Sequence, residues 1–172
     1  MTELELEQCI KEYGKDIYSF CRHLTRNQQE ADDLYQDTFL KVVELQQKIK
    51  WQESPKSYLL SVTVKLWKNR QRKAVWRNRI APLIPLMDEQ ETIICGDELL
   101  PEERCLVDET IRTVQGAVDK LPKKLKMCVL LFYMEEMSVR EIAKVLNLPE
   151  GTVKSRLYQA RKVLEKELEN VL

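Results

Sequence analysis

Ser155, Tyr158, Gln159 and Lys162 share one side of a helical segment when residues are spaced at about 100° around an axis. Lys154 and Arg156 flank that face on its two shoulders, and Thr152 and Arg161 belong to the same candidate set. Hydroxyl, amide and ammonium groups pointing outward can meet base edges, while cations at the shoulders can meet phosphates on either wall of a groove. The chemistry is that of reading duplex DNA.

These residues need a helix held at a fixed angle, and the stretch Ser138 to Leu164 supplies the means. Ser138 and Glu141 have capping-box spacing, in which each side chain answers an orphan backbone amide at a helix start. Ile142, Ala143 and Leu146 form the apolar stripe of that first helix. Asn147 stands where the helix must stop, a place for left-handed backbone, and Pro149 cannot extend the preceding helix. In the second helix Val153, Leu157, Ala160 and Leu164 recur at helical spacing and turn inward, opposite the candidate reading face. The expectation is a helix-turn-helix.

A second candidate surface lies in SYLLSVTVKLWKNRQRKAVWRNR. Between Lys65 and Arg79 there are seven Lys/Arg, no acids and two tryptophans, Trp67 and Trp76. Aromatic rings among cations suit single-stranded nucleic acid, with rings stacking on bases and cations tracking phosphates. Trp67 also suits a place partly in the core. Ser54 and Pro55 mark the start of this helix as cap and first-turn proline.

Nearly all regular structure is expected to be helical: Gly is scarce, alternating β-type runs are absent, and apolar residues recur at three and four. Leu6, Ile10, Tyr13, Ile17, Cys21 and Leu24 give a first helix its apolar face. Asn27 and Glu30 repeat the capping spacing, and Ala31, Leu34, Tyr35, Thr38, Val42 and Leu45 form the inward stripe of a second helix. Asp33, Gln36, Asp37 and Leu40 make a different face, acidic with one apolar residue, of a kind that suits a basic helical partner. In the segment DETIRTVQGAVDKLPKKLKMCVLLFYMEE, Leu121 and Pro122 separate two helices, and Met127, Val129, Leu130, Leu131 and Phe132 read as core.

The 172 residues carry zero formal charge, but the charge is segregated. Residues 1–80 carry +4, residues 81–119 carry −8, and residues 120–172 carry +4. Two basic blocks thus flank an acidic stretch, as expected of two nucleic-acid-facing modules joined by a segment that avoids or mimics DNA. Pro82, Pro85 and Pro101 interrupt a connector expected from about Ile80 to Val107, extended or disordered when free. The five cysteines lack paired metal spacing, which favours free thiols in a reducing cytosol and no metal. No secretory leader or long apolar run is evident, so the expectation is a soluble, cytoplasmic protein that is not embedded in a membrane. No nucleophile and base pair, metal cluster or phosphate loop is visible, which argues against an enzyme and against a cofactor.

EIAKVLNLPEGTVKSRLYQARKVL resembles the C-terminal DNA-binding region of bacterial sigma factors, above all the extracytoplasmic-function group, and EADDLYQDTFLKV resembles their polymerase-docking segment. The resemblance covers roughly residues 6–79 and 108–168. It implies an all-α chain of two small helical domains joined by an acidic flexible linker: residues 1–80, a linker over 81–107, and residues 108–172 with the C-terminal helix-turn-helix. On this resemblance the chain is expected to lack the extra domains of primary sigma factors.

The resemblance implies that the chain binds core RNA polymerase, on the β′ coiled coil and the β subunit. Asp32, Asp33, Gln36, Asp37, Phe39 and Leu40 would dock there. The helix-turn-helix would read the minus-35 element as duplex, while Trp51, Lys65, Lys68, Asn69, Arg72 and Lys73 would recognise and hold the opened minus-10 strand. A pocket for a flipped base would include the loop with Lys50, Trp51 and Gln52. A cognate anti-sigma protein is a further expected partner. Three positions depart from the family pattern: Lys65 replaces a usual Asn, Tyr58 a usual Trp, and Gln159 a common Arg. Gln pairs bidentately with adenine where Arg favours guanine, so a changed upstream preference is expected. On the residues alone, a stand-alone helix-turn-helix regulator and a helical adaptor or anti-sigma-like protein also fit.

Overall fold

Asn27 caps a helix as its spacing predicts: its side-chain oxygen accepts from the Glu30 amide at 2.8 Å, and its backbone is extended. In the computed structural model, which describes residues 3–25, 27–45, 54–80 and 101–169, every regular element is helical. The helices are α1 (Glu3–Leu24), α2 (Gln28–Glu44), α3 (Pro55–Ile80), α4 (Pro101–Asp119), α5 (Lys123–Val129), α6 (Val139–Leu146) and α7 (Glu150–Glu169). A π-helical turn, Leu130–Met134, follows α5 directly. By contact the chain divides into two units, residues 1–89 with 143–147, and residues 90–142 with 148–172.

In the first unit α2 packs on both α1 and α3. Ile17, Phe20, Cys21 and Leu24 of α1, Ala31, Leu34 and Val42 of α2, and Leu59, Leu60 and Val64 of α3 are buried. Each Val, Leu, Ile or Phe among them contributes about 1.5–3 kcal/mol of transfer free energy, and this sum fixes three amphipathic helices around one core. Two hydroxyls lie within it. Thr38 and Thr63 are fully buried with their oxygens 3.2 Å apart, and each reaches the carbonyl four residues back, of Leu34 and Leu59. Their polar atoms therefore enter the core without a desolvation penalty. Gly14 is buried where an added Cβ would stand 3.0 Å from the Tyr35 hydroxyl, so its lack of a side chain lets α1 and α2 approach.

Three expectations for this unit need correction. Ile10, expected on the inward stripe of α1, is 38% exposed, and Phe20, outside that stripe, is fully buried. Phe39, expected on the docking face, is buried and packs edge-on against Tyr35, with ring centroids 4.9 Å apart. Its area is worth more against the core than in water. Trp67 belongs wholly to the core: it is buried and donates from Nε1 to the Leu24 carbonyl at 3.1 Å, satisfying an orphan acceptor at the end of α1.

The second unit has an apolar cluster of Leu121, Leu125, Val129 and Ala160, with Val118 and Leu164 against it. The break at Leu121 and Pro122 falls as expected between α4 and α5. Helix α4, however, begins at Pro101 rather than near residue 108, because proline suits a first helical position, where its missing N–H costs nothing. The connector's remainder, residues 81–100, lies outside the described residues.

The π-helical turn was not legible in the periodicity. It closes with Glu135 N–H donating to the Leu130 carbonyl at 3.1 Å, and Met137 N–H then reaches the Leu131 carbonyl at 3.1 Å, six residues back. Glu136 between them adopts φ 53°, the left-handed geometry that terminates many helices.

Candidate nucleic-acid interface

The candidate reading helix and the helix before it are built as their spacing predicts. Ser138 N–H donates to a Glu141 carboxylate oxygen at 2.8 Å, the Ser138 hydroxyl donates to the same oxygen at 2.7 Å, and the Glu141 amide donates back to that hydroxyl at 3.3 Å. This capping box starts α6. Asn147, at φ 54°, makes the turn, and the Thr152 and Val153 amides donate to the Pro149 carbonyl at 3.0 and 3.2 Å as α7 begins. Ile142, Ala143 and Leu146 of α6 and Val153, Leu157 and Ala160 of α7 are all buried.

Burial of one side of α7 leaves the other exposed. Lys154, Ser155, Tyr158, Gln159, Arg161 and Lys162 are exposed, Tyr158 at 61%, while Thr152 and Arg156 are half-buried. Lys162 Nζ sits 5.5 Å from the centroid of the Tyr158 ring, a cation–π contact that aligns two outward groups. Arg161 is held more tightly. Its Nε donates to the Tyr133 hydroxyl at 2.8 Å, and its guanidinium carbon lies 5.8 and 5.9 Å from the ring centroids of Phe132 and Tyr133.

On α3 the buried side carries Leu59, Leu60, Thr63 and Trp67, so the opposite side faces solvent. At about 100° per residue, Lys65, Lys68, Asn69, Arg72, Trp76 and Arg79 follow one another along that outer side. Lys65, Arg72, Lys73 and Arg79 are exposed, and Lys68 and Asn69 are half-buried. Arg72 donates to the Asn69 amide oxygen at 2.6 Å. Trp76 is 66% exposed between the Arg72 and Arg79 positions and belongs to this strip, although the candidate set omits it. Its signal was present in the sequence, because 65, 69, 72 and 76 are spaced at four, three and four. Trp51 and its neighbours Lys50 and Gln52 lie outside the described residues.

The acidic face of α2 is exposed as expected at Asp33, Gln36, Asp37 and Leu40, Leu40 at 61%. Val43, 41% exposed, extends its apolar part by nearly a turn. Asp32 is half-buried and accepts from the Tyr18 hydroxyl at 2.8 Å, a bond that raises the Tyr18 pKa. Asp37 is paired with Arg70 of α3 at 2.5 Å, an ion pair between the two helices that no local spacing announced. Among the described residues no helix is long and apolar enough to cross a membrane, and no group of three His, Cys, Asp or Glu is placed to hold a metal.

Residues 9–77 match the family model for sigma-70 region 2, and residues 111–164 match that for sigma-70, region 4. The chain is 28% identical over 161 residues to the extracytoplasmic-function RNA polymerase sigma factor SigW of Bacillus subtilis, covering 92% of this chain and 86% of that protein. It is also 28% identical over 168 residues to the RNA polymerase sigma-H factor of Pseudomonas aeruginosa, covering 95% of this chain and 86% of that protein.

The fold resembles that of the sigma factor RpoE solved with the anti-sigma factor NepR from Bartonella quintana, with a TM-score of 0.80 at 18% identity over 96% of this chain and 97% of that one. CnrH, solved with the cytosolic domain of CnrY, gives 0.69 at 17% identity over 98% of this chain and 90% of that one. The chain belongs to the sigma-70 family, in its extracytoplasmic-function group, and its function is that of an RNA polymerase sigma factor in promoter-specific transcription.

Proposed function

We propose that the two solvent-facing strips divide promoter recognition between them. The outer face of α7 lies in the major groove of the minus-35 element, with Ser155, Tyr158, Gln159 and Lys162 towards bases and Lys154, Arg156, Arg161 and the amide end of the helix at Thr152 towards phosphates. The outer face of α3, with Lys65, Lys68, Asn69, Arg72, Lys73 and the added Trp76, holds the opened minus-10 strand. No catalytic residue or cofactor is needed. Opening follows when the protein binds unpaired bases better than the duplex, the difference in binding supplying the free energy of unstacking. Residues 1–80 and 108–172 act as the two readers.

Asp33, Gln36, Asp37 and Leu40 dock on a basic helical surface of core polymerase, the β′ coiled coil, and contacts to the β subunit complete the assembly. Phe39 supports this strip from beneath. An anti-sigma protein is the matching inhibitor, a reading supported by the similar fold of RpoE, which was solved with the anti-sigma factor NepR. The protein works in the cytoplasm, where polymerase and promoter meet.

One observation carries the division of labour: α3 and α7 each bury one apolar side and expose on the other an aromatic-bearing, acid-poor strip. The decisive experiment is reconstituted transcription with core polymerase on a promoter library. Initiation at sequences sharing an upstream and a downstream element is expected. Tight operator binding without polymerase and no initiation would instead indicate a stand-alone regulator, and absence of salt-dependent DNA affinity an adaptor.

A further inference from the structure

Tyr133 belongs to no expected site, yet it stands 54% exposed in the π-helical turn with its hydroxyl bonded to Arg161 of α7. We propose that Tyr133 and Phe132 form a socket that fixes the Arg161 guanidinium as a clamp for one backbone phosphate of duplex DNA, Tyr133 being a positioning residue. The proposal rests on the placement of α7 in a major groove.

The geometry is specific. Phe132 and Tyr133 meet edge to face, with centroids 4.9 Å apart and planes at 77°, and the guanidinium carbon lies at almost equal distance from both rings. A ring edge and face set this way restrain a guanidinium by cation–π attraction while the Tyr133 oxygen takes the Nε proton. Among the described residues only Nε is engaged by a hydrogen bond, so the N–H donors on the two terminal nitrogens remain for a ligand, in the fork that matches a phosphate. An unrestrained arginine would lose rotamer freedom on binding; this one has lost it in folding, so less is lost at the DNA. The π-helical turn supplies the socket, since its extra residue shifts the register of 130–134, and such insertions recur at functional sites. On α7, Arg161 shares a shoulder with Lys154, beside the face that carries Ser155, Tyr158 and Gln159, which makes the ligand an anion beside a groove rather than a base within it.

The test uses the full-length chain assembled with core polymerase, and reads promoter dissociation constants across a salt series. Arg161→Ala is expected to make the salt dependence shallower by about one phosphate contact, with the same loss on promoters altered in their upstream bases. Tyr133→Phe is expected to weaken binding by about threefold to tenfold, leave the melting temperature unchanged, and have no effect when Arg161 is already Ala. Equal losses from Tyr133→Phe in both backgrounds, or none in either, would overturn the socket. Gln159→Ala is the reference: if it relaxes upstream-base selectivity while Tyr133 and Arg161 prove uncoupled, only the socket fails. If Gln159→Ala and Arg161→Ala both leave affinity and selectivity intact, the groove placement fails and the socket with it.

Discussion

Glu136 occupies left-handed backbone at the end of the π-helical turn, where a residue with a Cβ is strained by about 1–2 kcal/mol. Glycine would relieve that strain, though it gives back some of the gain as greater freedom in the unfolded chain. Glu136→Gly is therefore expected to raise stability by about 0.5–1 kcal/mol, measured by denaturant titration; a loss would mean that the glutamate side chain holds the turn. Cys21 is buried at the centre of the first unit, and burial pushes its thiol from the ordinary 9.0 up to about 12. The unfolded thiol releases its proton first as pH rises, so the stability of the buried neutral form is full below pH 9.0 and is lost between 9.0 and about 12. Unfolding curves at pH 7 and pH 10 should show the protein less stable at pH 10, and Cys21→Ala should flatten that difference. The same shift leaves almost no thiolate at neutral pH, so Cys21 should resist alkylation until the chain unfolds.

At the scale of elements, α2 serves two neighbours at once: its inner side holds the core and its outer side carries the acidic strip. Asp33 is exposed, so Asp33→Lys should weaken binding to purified core polymerase while changing stability by no more than about 0.5 kcal/mol. Asp37→Lys should weaken that binding too, but it also sets a cation beside Arg70. The pair it breaks is partly exposed, with side chains 50% and 34% accessible, so its own worth is no more than about 1 kcal/mol. Unchanged polymerase affinity in both variants would remove α2 from the docking surface. For α3, replacing Lys68 and Arg72 together by Ala should impair strand opening, read as permanganate reactivity of thymines in the promoter. Normal reactivity would confine α3 to a structural part.

For the whole molecule, the zero net charge is a balance of +4, −8 and +4 along the chain. Each basic block should attract any DNA, and the acidic stretch between them in sequence is expected to lower that sequence-independent attraction. Replacing Asp88, Glu89, Glu91, Asp97 and Glu98 with their amides should tighten binding to non-promoter duplex, and the gain should fade as salt is raised. No gain at low salt would show that the acidic stretch does not screen the readers. On the proposed division, two readers on one chain would strengthen each other, since engagement of the first raises the effective concentration of the second.

What the sequence determined by itself is the local layer. Helix identity, the Ser138–Glu141 and Asn27–Glu30 caps, the Asn147 turn and the outer face of α7 all follow from spacing within one or two turns, where the controlling interactions lie. The two-reader reading was legible for the same reason, as cations and aromatics repeat on one side of a helix. Tertiary structure decided which amphipathic side chains turn inward and which groups meet across helices. Phe39 and Trp67 could serve a surface or a core, and only packing against Tyr35 and the Leu24 carbonyl placed them inside. Asp37 with Arg70, and Arg161 with Tyr133, join residues 33 and 28 positions apart. No periodicity encodes such pairs, because their partners are brought together only when apolar faces elsewhere in the chain close on one another.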